Sequence, residues 1–96
     1  MTQLLGLDFE IFGKVQGVFF RKYMHKRAEE LSIKGWCMNT KMGTVIGRIE
    51  GEKTKIEEMK YWLRNTGSRG SKIDKAEFKD EEEILQINFP NFTIKK

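Results

Sequence analysis

The fold class predicted for this sequence is an α+β, ferredoxin-like βαββαβ sandwich, with a mainly antiparallel sheet carrying two helices on one face. Three observations predict it. The chain opens with a two-residue apolar alternation, continues through two stretches of helical apolar spacing that flank a hairpin-like pair of extended runs, and returns to extended patterning after the second helix. With 96 residues there is room for one hydrophobic core and too little chain for two, so residues 1–96 are expected to form a single domain.

Each element has its own signal. Leu5, Leu7, Phe9 and Ile11 alternate with Gly6, Asp8 and Glu10, as in a strand with one buried face. Phe20, Met24, Ala28 and Leu31 recur at helical spacing, and Gly35 beyond them places the end of that helix near Ser32. Trp36 to Asn39 and Thr44 to Glu50 read as a hairpin around Lys41-Met42-Gly43, where the glycine serves the turn. Thr54-Lys55-Ile56-Glu57 has capping-box spacing, and Ile56, Met59 and Leu63 form a stripe that stops before Gly67. Gly67 to Ser71 reads as a short loop. Ile73 to Lys79 and Ile84 to Phe89 are expected as strands on either side of a solvated acidic bend, Asp80-Glu81-Glu82-Glu83. Phe92 and Ile94, after Pro90, are expected to add a short edge strand.

Composition narrows the function classes. Eighteen Lys and Arg against fourteen Asp and Glu give a formal charge of +4, which favours anionic ligands but is modest for a nucleic-acid binder. Thr44 to Gly51 lacks the basic-Gly-aromatic signature of a ferredoxin-like RNA-binding module, so no nucleic-acid partner is expected. One cysteine, Cys37, and one histidine, His25, cannot build the paired thiolate site of a small metal carrier; no metal and no cofactor are expected. No G-x-x-x-x-G-K-[ST] loop for nucleotide hydrolysis occurs. A lone cysteine fits a reducing compartment, and neither an apolar run of spanning length nor a signal-peptide start is found, so a cytoplasmic protein without membrane contact is expected.

The segment between the first strand and the first helix carries the chemistry. Gly13-Lys14-Val15-Gln16-Gly17-Val18-Phe19-Phe20-Arg21 sets two glycines four apart in a loop and an arginine at its exit. Glycines allow a tight turn and close backbone approach, so consecutive N–H groups can converge on an anion. The following helix adds its unsatisfied N–H groups and positive dipole end. Arg21 supplies a planar fork matched to two phosphate oxygens. Lys14 can steer an anion or simply keep the loop soluble, and the two readings weigh equally. Gln16 reads as loop scaffold. Asn39 precedes a turn, where asparagine is favoured for backbone reasons alone.

This loop resembles the signature of the acylphosphatases. Gly35-Trp36-Cys37-Met38-Asn39-Thr40, followed by Gly43-Thr44-Val45, Gly47 and Gly51, resembles that family's second signature, and the likeness extends to Asn91-Phe92-Thr93-Ile94. The resemblance implies the same fold and an enzyme that hydrolyses the carboxyl-phosphate anhydride of a small acyl phosphate to carboxylate and inorganic phosphate. It implies in-line attack by water, without metal or covalent phosphoenzyme. Residue by residue it makes Arg21 the phosphate ligand and Asn39 the group that orients the water. Gly13, Lys14, Val15, Gln16, Gly17 and Val18 correspond to the phosphate cradle, and the protein is expected to act as a monomer. Phe19 and the C-terminal Lys95-Lys96 are positions expected to vary freely. His25 reads as a surface residue and Cys37 as a small buried hydrophobe, while Phe9, Phe19, Phe20, Trp36, Trp62 and Phe78 read first as core, with room for some of them to line an apolar mouth for the acyl group.

Overall fold

The computed structural model describes residues 3–95. Its elements follow the order β1 (Leu4–Lys14), α1 (Phe20–Glu30), β2 (Lys34–Asn39), β3 (Val45–Glu52), α2 (Lys53–Tyr61), β4 (Lys72–Ile84) and β5 (Phe92–Ile94). The five strands form one sheet in the order β4-β1-β3-β2-β5. Every pairing is antiparallel except that of β5, which runs parallel to β2 with Gly35, Trp36 and Cys37 opposite Phe92, Thr93 and Ile94. This is the ferredoxin-like α+β architecture, extended by one short edge strand.

One buried cluster joins sheet and helices. Leu7, Phe9 and Ile11 from β1, Cys37 from β2 and Val45 and Ile49 from β3 pack with Phe20, Met24 and Ala28 of α1 and Ile56 and Met59 of α2. The alternation in β1 and the helical stripes thus meet on the same side of the sheet. Removing a buried Leu, Ile or Met side chain from this cluster costs about 2–5 kcal/mol.

The helix ends differ in detail from the sequence expectation. Thr54 does not cap α2: the helix begins at Lys53, no side chain bonds its N-terminus, and the Lys53 N–H donates to the Gln3 carbonyl at 2.9 Å. After Tyr61 the helix widens into one π turn, Trp62–Thr66, closed by the Gly67 N–H donating to the Trp62 carbonyl at 2.9 Å.

The largest correction concerns the acidic run, which is strand and not a bend. β4 continues through Asp80, Glu81, Glu82 and Glu83 by absorbing one extra residue: Asp8 faces Lys79 while Gly6 faces Glu82, and Asp80 takes a positive φ of 53°. A bulge of this kind keeps the ladder while redirecting the strand. Charge is tolerated because β4 is an edge strand and the acids find partners, Glu81 on Lys60 at 2.7 Å and Glu82 on Arg48 at 3.2 Å. The expected strand from Ile84 to Phe89 is not formed. Leu4, the first residue of β1, already pairs with Ile84, so the residues beyond have no strand beside them, and Leu85 is fully exposed.

That non-strand segment is anchored instead by Glu50. Glu50 is 1 % exposed although it lies on the sheet face away from the helices. Its carboxylate accepts from Arg48 Nε at 2.8 Å and from the Asn88 N–H at 2.8 Å. Burial alone would push this carboxyl upward, but the Asn88 N–H and the Arg48 guanidinium hold it below the usual carboxylate range. The Gly35 N–H then donates to the Asn91 carbonyl, which delivers the chain to β5.

Candidate active site

The connection from β1 to α1 shows how the glycine loop is built. β4 crowds the end of β1: between Phe12 and Gly13 the register slips by one residue of β4, and a Cβ on Gly13 would collide with the Lys72 carbonyl and the Asp74 amide. Gly13, with φ 124°, is therefore required by strand packing. Gly17, with φ 75°, has open space where a side chain would be. Only the second glycine leaves its backbone open to an approaching ligand.

The loop enters α1 without the usual cap. Phe19 occupies the N-cap position in the left-handed region, at φ 57° and ψ 27°, no side chain bonds the helix N-terminus, and its first turn carries no acid. The Val15 N–H turns back to the Gly13 carbonyl at 3.1 Å. Among the described residues the N–H groups of Gln16, Gly17, Val18 and Phe19 have no hydrogen-bond partner. Uncapped helical N–H groups next to free loop amides, with no acid in the first turn to compete, can receive an anion.

A cleft of about 680 Å³ opens at this end, and Val15, Gln16, Gly17, Arg21 and Asn39 line it together with Phe19, Lys22, Ile94 and Lys95. Of the residues singled out from the sequence, Arg21 and Asn39 thus meet three cradle residues. Gly13, Lys14 and Val18 lie outside its wall. Lys14 pairs with Lys72 in the sheet, and Val18 packs against the core while its carbonyl accepts from the Ser68 hydroxyl at 2.9 Å.

Asn39 closes β2, opposite Val45, and its Oδ1 is buried without a hydrogen-bond partner among the described residues. A buried carbonyl oxygen with no donor is costly unless a bound molecule supplies one. Cys37, two residues earlier on the same face of β2, is buried and free. Burial pushes its thiol up to about 12, although the nearby positive charge of Arg21 pulls the other way. The thiol is therefore neutral at ordinary pH, as befits a small hydrophobe. Arg21 itself, partly buried at the first turn of α1, forms no ion pair among the described residues.

A hydrogen-bond clamp holds the two halves of the site together. Gln16 Nε2 donates to the carbonyl oxygens of Thr40 and Thr44, each at 2.9 Å. The Thr44 hydroxyl donates to Glu10 Oε2 at 2.8 Å, so the Thr40 hydroxyl, 2.6 Å away, must donate to Thr44. Thr40 Oγ1 also accepts from the Met42 and Thr44 N–H groups, both at 3.2 Å. The reading of Gln16 as scaffold agrees with this geometry. Thr40, Thr44 and Glu10 had no signal of this role, because the bonds that tie the Thr40–Thr44 turn to Gln16 and Glu10 join residues 24 to 34 positions apart.

Two positions expected to vary freely are structurally engaged. Phe19 stands at the mouth of the cleft, 71 % exposed. Lys95 lines the cleft, its N–H donates to the Cys37 carbonyl at 2.8 Å, and its ammonium lies 4.3 Å from the centre of the Trp36 ring. The terminal carboxylate lies outside the described residues. His25 belongs to a separate groove between α1 and β5, where its Nδ1 lies 3.3 Å from Glu29 Oε1. Among the described residues no group of three His, Cys, Asp or Glu is placed to hold a metal, and no helix is long and apolar enough to cross a membrane.

Comparison with known proteins decides the family. The acylphosphatase family model matches residues 7–94. The chain belongs to the acylphosphatase family. It is 46 % identical over 93 residues to Acylphosphatase-1 of Homo sapiens, covering 97 % of this chain and 94 % of the human one. It is 42 % identical over 94 residues to Acylphosphatase-2 of Cavia porcellus, covering 98 % and 95 %. An acylphosphatase structure from Coxiella burnetii superposes with a TM-score of 0.84 at 31 % identity, over 97 % of this chain and 94 % of that one. The paired signatures that resembled acylphosphatases thus fall within a family match that spans nearly the whole acylphosphatase fold.

Proposed function

We propose that this member of the acylphosphatase family, an acylphosphate-hydrolysing enzyme, cleaves the carboxyl-phosphate anhydride by in-line attack of water, with no metal and no phosphoenzyme. The observation that carries the reading is one cleft that joins an uncapped, acid-free helix N-terminus, Arg21 and the unpartnered Oδ1 of Asn39.

The chemistry asks little more than these parts offer. The leaving group is a carboxylate whose conjugate acid has a pKa of about 4, so it departs without a proton donor. What the reaction needs is a held phosphoryl group, spread charge and a water in line behind phosphorus. The amides of Gln16 and Gly17 and the first turn of α1 would bind phosphoryl oxygens, and Arg21 would grip two of them with its fork. Asn39 Oδ1 would accept one proton of the attacking water and so point an oxygen lone pair at phosphorus. The buried Cys37 thiol is a poor nucleophile for a covalent step, since burial pushes its pKa up to about 12. Lys14 and Val18, though off the cleft wall, would hold the loop ends in the sheet and core. The chain is proposed to work as a monomer on a small-molecule substrate, without nucleic acid.

The test is hydrolysis of benzoyl phosphate in the presence of chelator, with para-nitrophenyl phosphate alongside. Fast cleavage of the anhydride and none of the phenyl ester is expected. Failure of the folded protein to cleave benzoyl phosphate, or activity that chelator abolishes, would overturn the proposal.

A further inference from the structure

Phe19 is held in a costly position. A large aromatic residue rarely adopts a positive φ, yet Phe19 sits at φ 57°, where glycine or asparagine would be at ease. It also takes the N-cap position, which favours Ser, Thr, Asp or Asn, and it gives the helix no side-chain bond. Its ring is 71 % exposed and gains little from burial. Neither folding nor capping accounts for a phenyl ring at this site, and backbone outliers of this kind concentrate where a ligand is gripped.

The surroundings specify the ligand. Phe19 follows directly after the free N–H groups of Gln16, Gly17 and Val18, so its ring stands at the outer edge of the proposed anion-binding end. Ile94 of β5 lines the same cleft, still 37 % exposed, and adds a second apolar surface. The Lys22 ammonium lies 5.8 Å from the centre of the Phe19 ring and leaves this lip positively charged. A molecule with its phosphoryl group on the loop amides would carry its other end out past these side chains.

We propose that Phe19, with Ile94, forms the subsite for the acyl group and gives this enzyme a preference for acyl phosphates with an aromatic or bulky apolar acyl group over those with a small one. The proposal rests on the phosphoryl-site reading above and adds the residues that select the other half of the substrate. A flat acyl group would stack on or abut the Phe19 ring, whereas an acetyl group is too short to use it.

The test uses two phosphonates in which a methylene replaces the bridging oxygen, so that neither can be hydrolysed: phenacylphosphonate and acetonylphosphonate. Their dissociation constants, with that of inorganic phosphate, are measured by calorimetry on the wild type, Phe19→Gly and Phe19→Tyr. Glycine suits the backbone at this position, so Phe19→Gly is expected to fold, with an unchanged or raised melting temperature. The wild type and Phe19→Tyr should bind phenacylphosphonate about fivefold tighter than acetonylphosphonate, and Phe19→Gly should lose that preference. Acetonylphosphonate and phosphate should bind all three proteins alike. A preference that survives in Phe19→Gly, is missing from the wild type, or is lost through parallel weakening of phosphate would overturn the subsite. Because binding is read without turnover, a wild type that shows the preference but hydrolyses no acyl phosphate would sink the proposed function and leave the subsite standing.

Discussion

Gln16 and Thr40 stand 24 residues apart in the chain, and the side-chain amide of one lies 2.9 Å from the carbonyl oxygen of the other. The same nitrogen reaches the Thr44 carbonyl, so the glycine loop is tied to both sides of the turn that follows Asn39. The distance between the free loop amides and the Asn39 carboxamide is thereby set by a side chain and not by the sheet alone. Gln16→Ala should lower kcat about tenfold while inhibition by inorganic phosphate changes less than threefold, since the loop amides and Arg21 remain. Loss of two hydrogen bonds should also cost about 1–3 kcal/mol in denaturant unfolding.

The two glycines of the loop should fail differently. Gly13→Ala drives a methyl group into the backbone of β4 at Lys72 and Asp74, and backbone cannot yield cheaply. A loss of more than about 3 kcal/mol is expected. Gly17→Ala meets only open space and the strain of φ 75°, so about 1–2 kcal/mol is expected. Urea titration of the two variants side by side checks the order.

Glu50 should make the fold acid-sensitive. Its carboxyl is held below the usual range in the native state, so between that lowered value and about 4.3 the unfolded chain binds the extra proton. Its contribution is fully present above about 4.3 and is lost as pH falls through the native value. Glu50→Gln should therefore lower stability at pH 7 and flatten the fall in melting temperature on the acid side. The β5 end of the cleft, which depends on the segment held at Asn88, should loosen with it.

Cys37 should be silent in the native protein. Its thiol, pushed up to about 12, should resist alkylation at pH 8 and react at an ordinary rate once the chain is unfolded in denaturant. The same shift has an alkaline consequence. The unfolded thiol ionises near 8.5 and the native one does not, so stability should decline as pH rises from that value towards 12, and Cys37→Ala should remove that part of the decline.

How far the sequence could be read depended on whether a signal was local. The alternation from Leu5 to Ile11 and the stripes through Met24 and Ile56 reported burial directly, because each element packs one face on the shared core. The paired glycine and asparagine signatures were legible as a resemblance, and the cleft unites Arg21 with Asn39. The acidic run misled because an exposed edge strand need not alternate, and the bulge at Asp80 has no compositional mark. Ile84 to Phe89 had the pattern of a strand but lacked a neighbour, which depends on where β1 begins. The Gln16 clamp and the placement of Ile94 and Lys95 on the cleft arise from contacts between distant segments. The expectation that Phe19 varies freely came from the sequence pattern, which carries no mark of its positive φ.

The central claim is a division of labour: Arg21 binds the phosphoryl group and Asn39 positions the water. It is tested most directly by measuring inorganic phosphate binding and benzoyl phosphate turnover together on the wild type, Arg21→Ala and Asn39→Ala. Arg21→Ala should lose both phosphate affinity and turnover. Asn39→Ala should keep phosphate affinity within about threefold while turnover falls by about 10²-fold or more. Phosphate binding that survives the loss of Arg21, or that disappears with Asn39, would contradict the account.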